Sequence, residues 1–187
     1  MFDDSKSDFP DMAGLLLLAH PHLKDPNFLH SVILMTTHEE NGSLGVVLNK
    51  NSGMRLSEVN TEFVDYGLGE VPLYNGGPVG TDQIILAGWE LLIETNRFRL
   101  SFGMDPKIAQ QKMLETPSIN MRAFRGYAGW EAGQLAGELE SNTWVQSQMN
   151  GQAITDMEGE SLWRHLMLDI DPDLALLAFA PEKDGEN

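Results

Sequence analysis

The chain has 187 residues, 42% of them hydrophobic, which is enough for one domain of ordinary size with a full core. It contains no cysteine, so disulfides, thiolate metal sites and a cysteine nucleophile are excluded, and the composition fits a reducing cytosol. With 28 acidic against 12 basic residues the net charge is -16, which opposes the phosphate backbone of nucleic acid and an anionic membrane surface alike.

Residues 1–12 are acidic and poor in apolar side chains, and read as a mobile tail ahead of a single domain over residues 13–187. The apolar run at 15–19 is too short for a signal-peptide core, and Asp3, Asp4, Asp8 and Asp11 stand where such a leader needs positive charge. No segment approaches the ~20 apolar residues of a membrane span. The expectation is a soluble, cytoplasmic chain with no membrane partner.

Residues 14–20 read as a buried strand, and Pro21, Asp25 and Pro26 force an irregular connection. Residues 31–37 form a second strand. Glu40-Asn41-Gly42-Ser43 signals a turn, so 43–49 pairs back as a hairpin. A short helix is expected over 56–63 with Ser57 as its cap, then strands at 71–75, 82–89 and 98–102. Asp105-Pro106 caps and opens a helix to Glu115, stopped by Thr116-Pro117. A strand at 119–127, a helix at 131–140 and a strand at 143–149 follow. Residues 160–168 form an amphipathic helix with Leu162, Trp163, Leu166 and Met167 on one stripe, and 174–179 is an apolar segment that packs. Strands and helices mix without regular βαβ alternation, which favours α+β.

The densest motif is Arg125-Gly126-Tyr127-Ala128-Gly129-Trp130-Glu131-Ala132-Gly133-Gln134-Leu135. Together with Gly14-Leu15-Leu16-Leu17-Leu18-Ala19-His20-Pro21 and Gly76-Gly77-Pro78-Val79, it resembles the YqgE/AlgH family of bacterial proteins over roughly residues 13–168. The resemblance implies a highly twisted, bifurcated sheet folded into a partial barrel with helices outside. It implies no reaction. The AlgH name implies transcriptional regulation of the alginate type, which the charge would make indirect. The family also carries asparagine where Asn49 closes its strand, and matches Asp25 and Ser31. It commonly has arginine where this chain has His30, and a proline where Ala132 precedes Gly133.

Gly133 and Gly137, four apart, share a helix face. Since a helical glycine costs ~0.5–1 kcal/mol against alanine, the pair suggests a helix lying close against another backbone. Tyr127, Trp130 and Gln134 are read alternatively as the wall of a ligand groove, because aromatics with a polar handle suit that role. Gly76 and Gly77 lie in a loop whose amides could form an anion nest, although the loop lacks a P-loop lysine and dinucleotide spacing, and a tight strand connection is preferred. Asn49 is the best single polar candidate at a strand end. His20 and His22 fall on one strand face, yet no spacing demands a metal or cofactor. Arg97 with Arg99, and Arg122 with Arg125, read as solvated strand edges rather than a nucleic-acid footprint. No nucleophile elbow is present. The reading favours a non-catalytic protein that binds a small molecule or a protein partner, with a hydrolase of nucleotides or phosphorylated metabolites as an alternative.

Overall fold

The computed structural model describes Met12, residues 14–92 and residues 97–178. The expected tail lies outside these residues except for Met12, which is 4% exposed and packs into a core cluster.

Among the described residues the elements run in the following order. Strands β1 (Leu16–Ala19), β2 (Val32–Glu39), β3 (Gly42–Val47) and β4 (Asn51–Arg55) come first. Short helices α1 (Leu56–Val59) and α2 (Glu62–Asp65) lead to β5 (Pro72–Asn75), β6 (Val79–Leu92) and β7 (Arg97–Phe102). Helix α3 (Pro106–Glu115), strand β8 (Asn120–Glu131), helix α4 (Gln134–Glu140) and strand β9 (Trp144–Ser147) follow. Helices α5 (Gly151–Asp156), α6 (Gly159–Ile170) and α7 (Pro172–Leu177) close the order.

Strand β8 is the axis of the sheet. Its first half lies between β5, which runs parallel to it, and β6, which runs antiparallel. Its second half pairs with β3, Leu44 standing opposite Gly129. Strands β5 and β3 therefore follow one another along one edge of β8, and the sheet forks there. One arm continues through β3, β2 and β1 to β9; the other carries β4 beyond β5 and β7 beyond β6. This is the expected α+β architecture, a bifurcated sheet curled into a partial barrel and flanked by helices.

Glycine makes the fork possible. Gly76 N–H donates to the Arg125 carbonyl at 2.8 Å, and the Gly76 carbonyl accepts from Val47 N–H at 2.8 Å. A Cβ on Gly76 would sit 2.3 Å from the Gly126 oxygen, and one on Gly77 would sit 2.1 Å from the Tyr127 carbonyl carbon. Gly126 itself has φ +68, a conformation L side chains avoid. The register opposite β6 jumps here, and the strand's facing changes phase with it: Phe124 joins one core, while Ala128 and Trp130 join the core on the other face.

Three apolar layers result. The concave layer, roofed by α5, α6 and α7, holds Tyr74, Trp89, Phe124 and Trp163. The outer face of the first arm packs Ile33, Val47, Trp130 and Trp144 against Leu135 of α4. The outer face of the second arm packs Leu73, Leu86 and Ala123 against Leu56 of α1 and Ala109 of α3.

Helix α3 starts as its sequence dictates, the Asp105 side chain accepting from Lys107 N–H with Pro106 in the first turn. Helix α6 buries the expected stripe, and Trp163 Nε1 donates to the Ala19 carbonyl at 2.8 Å. Other expectations are corrected. The helix expected from residue 131 begins at Gln134, because β8 runs on to Glu131 and Gly133 turns the chain at φ +76. A Cβ on Gly133 or Gly137 would meet nothing within 4 Å, so the close glycine face does not exist. The 56–63 helix is two short helices, and the first is capped by the Glu58 carboxylate, which accepts from Arg55 N–H at 2.7 Å, rather than by Ser57. Strand β4 and helix α5 have no counterpart in the sequence reading.

Candidate functional site

Arg122 is not on a solvated edge. It is 5% exposed, and its guanidinium lies over the Tyr74 ring at 4.5 Å and the Trp89 ring at 4.8 Å. Its two terminal nitrogens donate to the Leu48 carbonyl at 3.0 Å, just past the end of β3, and to the Ile154 carbonyl of α5 at 2.6 Å, tying both segments to β8. Burial lowers its pKa, while Tyr74 and Glu158 act in the opposite sense. Trp89 Nε1 in turn donates to Thr155 Oγ1 of α5 at 3.1 Å. The Tyr74 hydroxyl donates to Glu158, whose other oxygen accepts from Asn51 Nδ2 at 3.2 Å. That hydroxyl holds the Glu158 carboxyl below its usual range against the opposing effect of burial, and burial with this bond pushes the Tyr74 hydroxyl up. The signal in the sequence was parity: Arg122 shares its facing with Phe124 in a strand whose both faces are covered.

Asn49 is equally committed. It is 2% exposed; Oδ1 accepts from Val32 N–H at 2.9 Å, and Nδ2 donates to the carbonyls of His30 at 2.9 Å and Gly159 at 2.8 Å. It joins the entry of β2 to the start of α6. His30, with φ 51, stacks on Trp163 at 4.3 Å. Lys50 donates to the carbonyls of Pro26 and Asn27, and burial lowers its pKa.

The expected wall of Tyr127, Trp130 and Gln134 does not form. Tyr127 packs toward the concave core and Trp130 toward the outer core, on opposite faces of the sheet. Gln134 is exposed and closes on its own neighbours, accepting from Glu131 N–H and donating to Glu138. Glu138 also accepts from the indoles of Trp130 and Trp144, at 2.8 and 2.6 Å. Gly76 and Gly77 are at the fork, their added-Cβ positions occupied by backbone of β8. His20 and His22 meet edge to face at 5.2 Å, and among the described residues no group of three histidine, aspartate or glutamate side chains is placed to hold a metal ion. Among the described residues no helix is long and apolar enough to cross a membrane.

The open space lies elsewhere. A half-open groove of about 830 Å³ runs between the end of the first arm and the end of the second, floored by α5 and α6. Leu91, Phe98, Leu166 and Ile170 supply apolar surface from β6, β7 and α6. Gln146, Gln148, Asn150 and Gln152 supply neutral amides along the chain from β9 into α5. Asp169 is the single ionisable side chain among the described lining residues. Asn150 caps α5 by accepting from Ala153 N–H at 3.0 Å, which fixes the amide-bearing turn. None of the six site candidates of the sequence reading lines this groove.

Comparison with known proteins places these features in context. The family model described as AlgH-like matches residues 16–175. A UPF0301 protein of Streptomyces coelicolor is 30% identical over 97% of this chain and 98% of its own length. The UPF0301 protein AlgH of Pseudomonas aeruginosa is 33% identical over 77% of this chain and 80% of its own. The crystal structure of a Corynebacterium diphtheriae protein superposes with a TM-score of 0.70 at 25% identity, covering 95% of this chain and 99% of that one. The solution structure of the P. aeruginosa AlgH protein superposes with a TM-score of 0.63 at 28% identity, covering 97% of this chain and 100% of that one.

Proposed function

Taking as premise that the chain belongs to the AlgH-like family, we propose that it is a cytosolic, non-catalytic binding protein that regulates through a ligand or protein segment held in the groove between its two sheet arms. The groove carries this reading. Its volume of about 830 Å³ falls in the range of ligand pockets, roughly 300–1,000 Å³, and its lining combines apolar surface with a few neutral hydrogen-bonding groups. Paired titratable groups of contrasting pKa are a recurrent mark of acid–base catalysis, and the described lining offers Asp169 alone. The polar groups elsewhere, from Arg122 to Asn49, already spend their hydrogen bonds on the fold. The net charge of -16 favours a neutral or basic ligand over nucleic acid.

The test is a plug. Ser147 lines the groove and is half-buried on β9, so Ser147→Trp fills the space with a ring. A fragment library screened by ligand-observed NMR is expected to bind the parent and lose binding to the variant, with the melting temperature within about 4 °C of the parent. Equal binding to both proteins contradicts the groove reading.

A further inference from the structure

Strand β9 is an edge strand: among the described residues its only strand partner is β1. The phase of that pairing decides which of its backbone groups are committed. His20 N–H donates to the Thr143 carbonyl at 3.0 Å, and His20 stands opposite Thr143 in the antiparallel register. In such a ladder, bonded and non-bonded pairs alternate. The pairs Leu18 with Val145 and Leu16 with Ser147 therefore exchange bonds, while Trp144 and Gln146 point their N–H and C=O groups away from β1. The neighbouring ladder agrees, since Ala19 N–H donates to Ser31 and Met35 N–H to Leu15, which leaves the even-numbered residues of β1 for β9. Gln146 is thus a groove residue whose main-chain donor and acceptor face outward.

We propose, resting on the groove reading, that the occupant is an extended polypeptide segment of basic and apolar residues that adds as a further strand to the open edge of β9. Strand addition uses the partner's main chain for hydrogen bonds and alternate side chains for selectivity. The outward N–H and C=O of Gln146 supply the first, and the apolar surface of Leu91, Phe98 and Leu166 supplies sockets for the second. Asp169 at the rim suits a lysine or arginine on the incoming strand. Charge selects this occupant over a second copy of the chain, because edge-to-edge pairing of two copies brings together two molecules of net charge -16 each.

Gln146→Pro tests the idea with little cost to the fold, because it removes an N–H that points away from β1, and edge positions of this kind tolerate proline. A phage-displayed library of random dodecapeptides is panned against the parent at physiological salt, and the best binder is made synthetically. The selected peptides are expected to alternate apolar residues with lysine or arginine and to shift the amide resonances of Gln146 and Ser147. Gln146→Pro is expected to weaken the peptide about tenfold or more with the amide spectrum otherwise retained, while Gln146→Ala, which keeps the main-chain N–H and removes only the side-chain amide, is expected to weaken it several-fold less than Gln146→Pro. A peptide N-methylated at alternate residues is expected to lose the same affinity. Groove binding that ignores both Gln146→Pro and N-methylation overturns strand addition and leaves the groove reading standing, as does a panning that yields no groove binder while fragments still bind there. Dimerisation of the parent through β9 overturns the proposal in favour of self-pairing, and absence of any groove ligand, fragment or peptide, overturns both readings. If Gln146→Pro fails to fold, the N-methylated peptide alone decides.

Discussion

The fork of the sheet and the groove between its arms differ in how their polar atoms are employed. At the fork and the adjoining polar cluster, the Gly76 amide and carbonyl are both paired, and the guanidinium of Arg122 and the amide of Asn49 are bonded to main-chain carbonyls. At the groove, neutral amides from β9 to α5 line open space, and the outward main-chain groups of Gln146 have no strand partner among the described residues. The unusual residues of this chain build it; its ordinary residues line the space it leaves open. A dense motif signals a demanding backbone geometry as readily as a binding site.

Substitutions separate the two regions, and the largest effect is expected at the fork. Gly77→Ala places a Cβ 2.1 Å from the Tyr127 carbonyl carbon, backbone that no rotamer change can relieve. Its expected cost is about 4–5 kcal/mol or more, read as loss of soluble folded protein or a collapsed denaturation midpoint. Arg122→Ala leaves the Leu48 and Ile154 carbonyls without their donor and a void between two rings, and is expected to cost about 3–5 kcal/mol in urea unfolding.

A smaller effect reports on the rim of the same cluster. Tyr74→Phe removes the donor to Glu158 and is expected to cost about 1 kcal/mol at neutral pH, Glu158 being partly solvated. The sign with pH follows from the lowered carboxyl: its contribution is present above the unfolded value, 4.5, and is lost as pH falls through the depressed folded value. The stability difference between parent and variant should therefore be full near neutrality and shrink in acid below 4.5. A difference that grows in acid contradicts this account of the Tyr74–Glu158 pair.

The smallest effect is expected at Gly137, inside the same dense motif but away from the fork. No atom lies within 4 Å of its added-Cβ position, so Gly137→Leu should change stability by no more than about 0.5 kcal/mol apart from a gain in helix propensity. Gly137→Ala should gain about 0.5–1 kcal/mol. Marked destabilisation by either would show that α4 meets a partner surface.

The legible part of the fold was that with local chemical causes. Asp105-Pro106 fixed the start of α3, the stripe from Leu162 to Met167 fixed the buried face of α6, and Glu40-Asn41 marked the first hairpin. Strand β4, Asn-Ser-Gly-Met-Arg, has no apolar period and exists because β5 offers it an edge. Helix α5 is six residues long and is set by the cap of Asn150 and by the Arg122 bond to Ile154. The family resemblance carried the forked sheet, which no single stretch of residues encodes. Arg122 was misread because charge suggests solvent, whereas its burial depends on Tyr74 and Trp89, far away in the chain. The groove was invisible because β6, β7, β9, α5 and α6 each supply a few unremarkable side chains to it, and only the closure of the two arms brings them together.

Protein-observed NMR of the isotopically labelled chain, titrated with a fragment library, tests the central claim most directly. The account predicts that amide shifts gather at Leu91, Phe98, Gln146, Gly151 and Asp169 around the groove, and that the fork stays silent. Shifts gathering instead at Asn49, Gly76, Gly77, Tyr127, Trp130 and Gln134 would contradict it and make the glycine-aromatic motif the binding site.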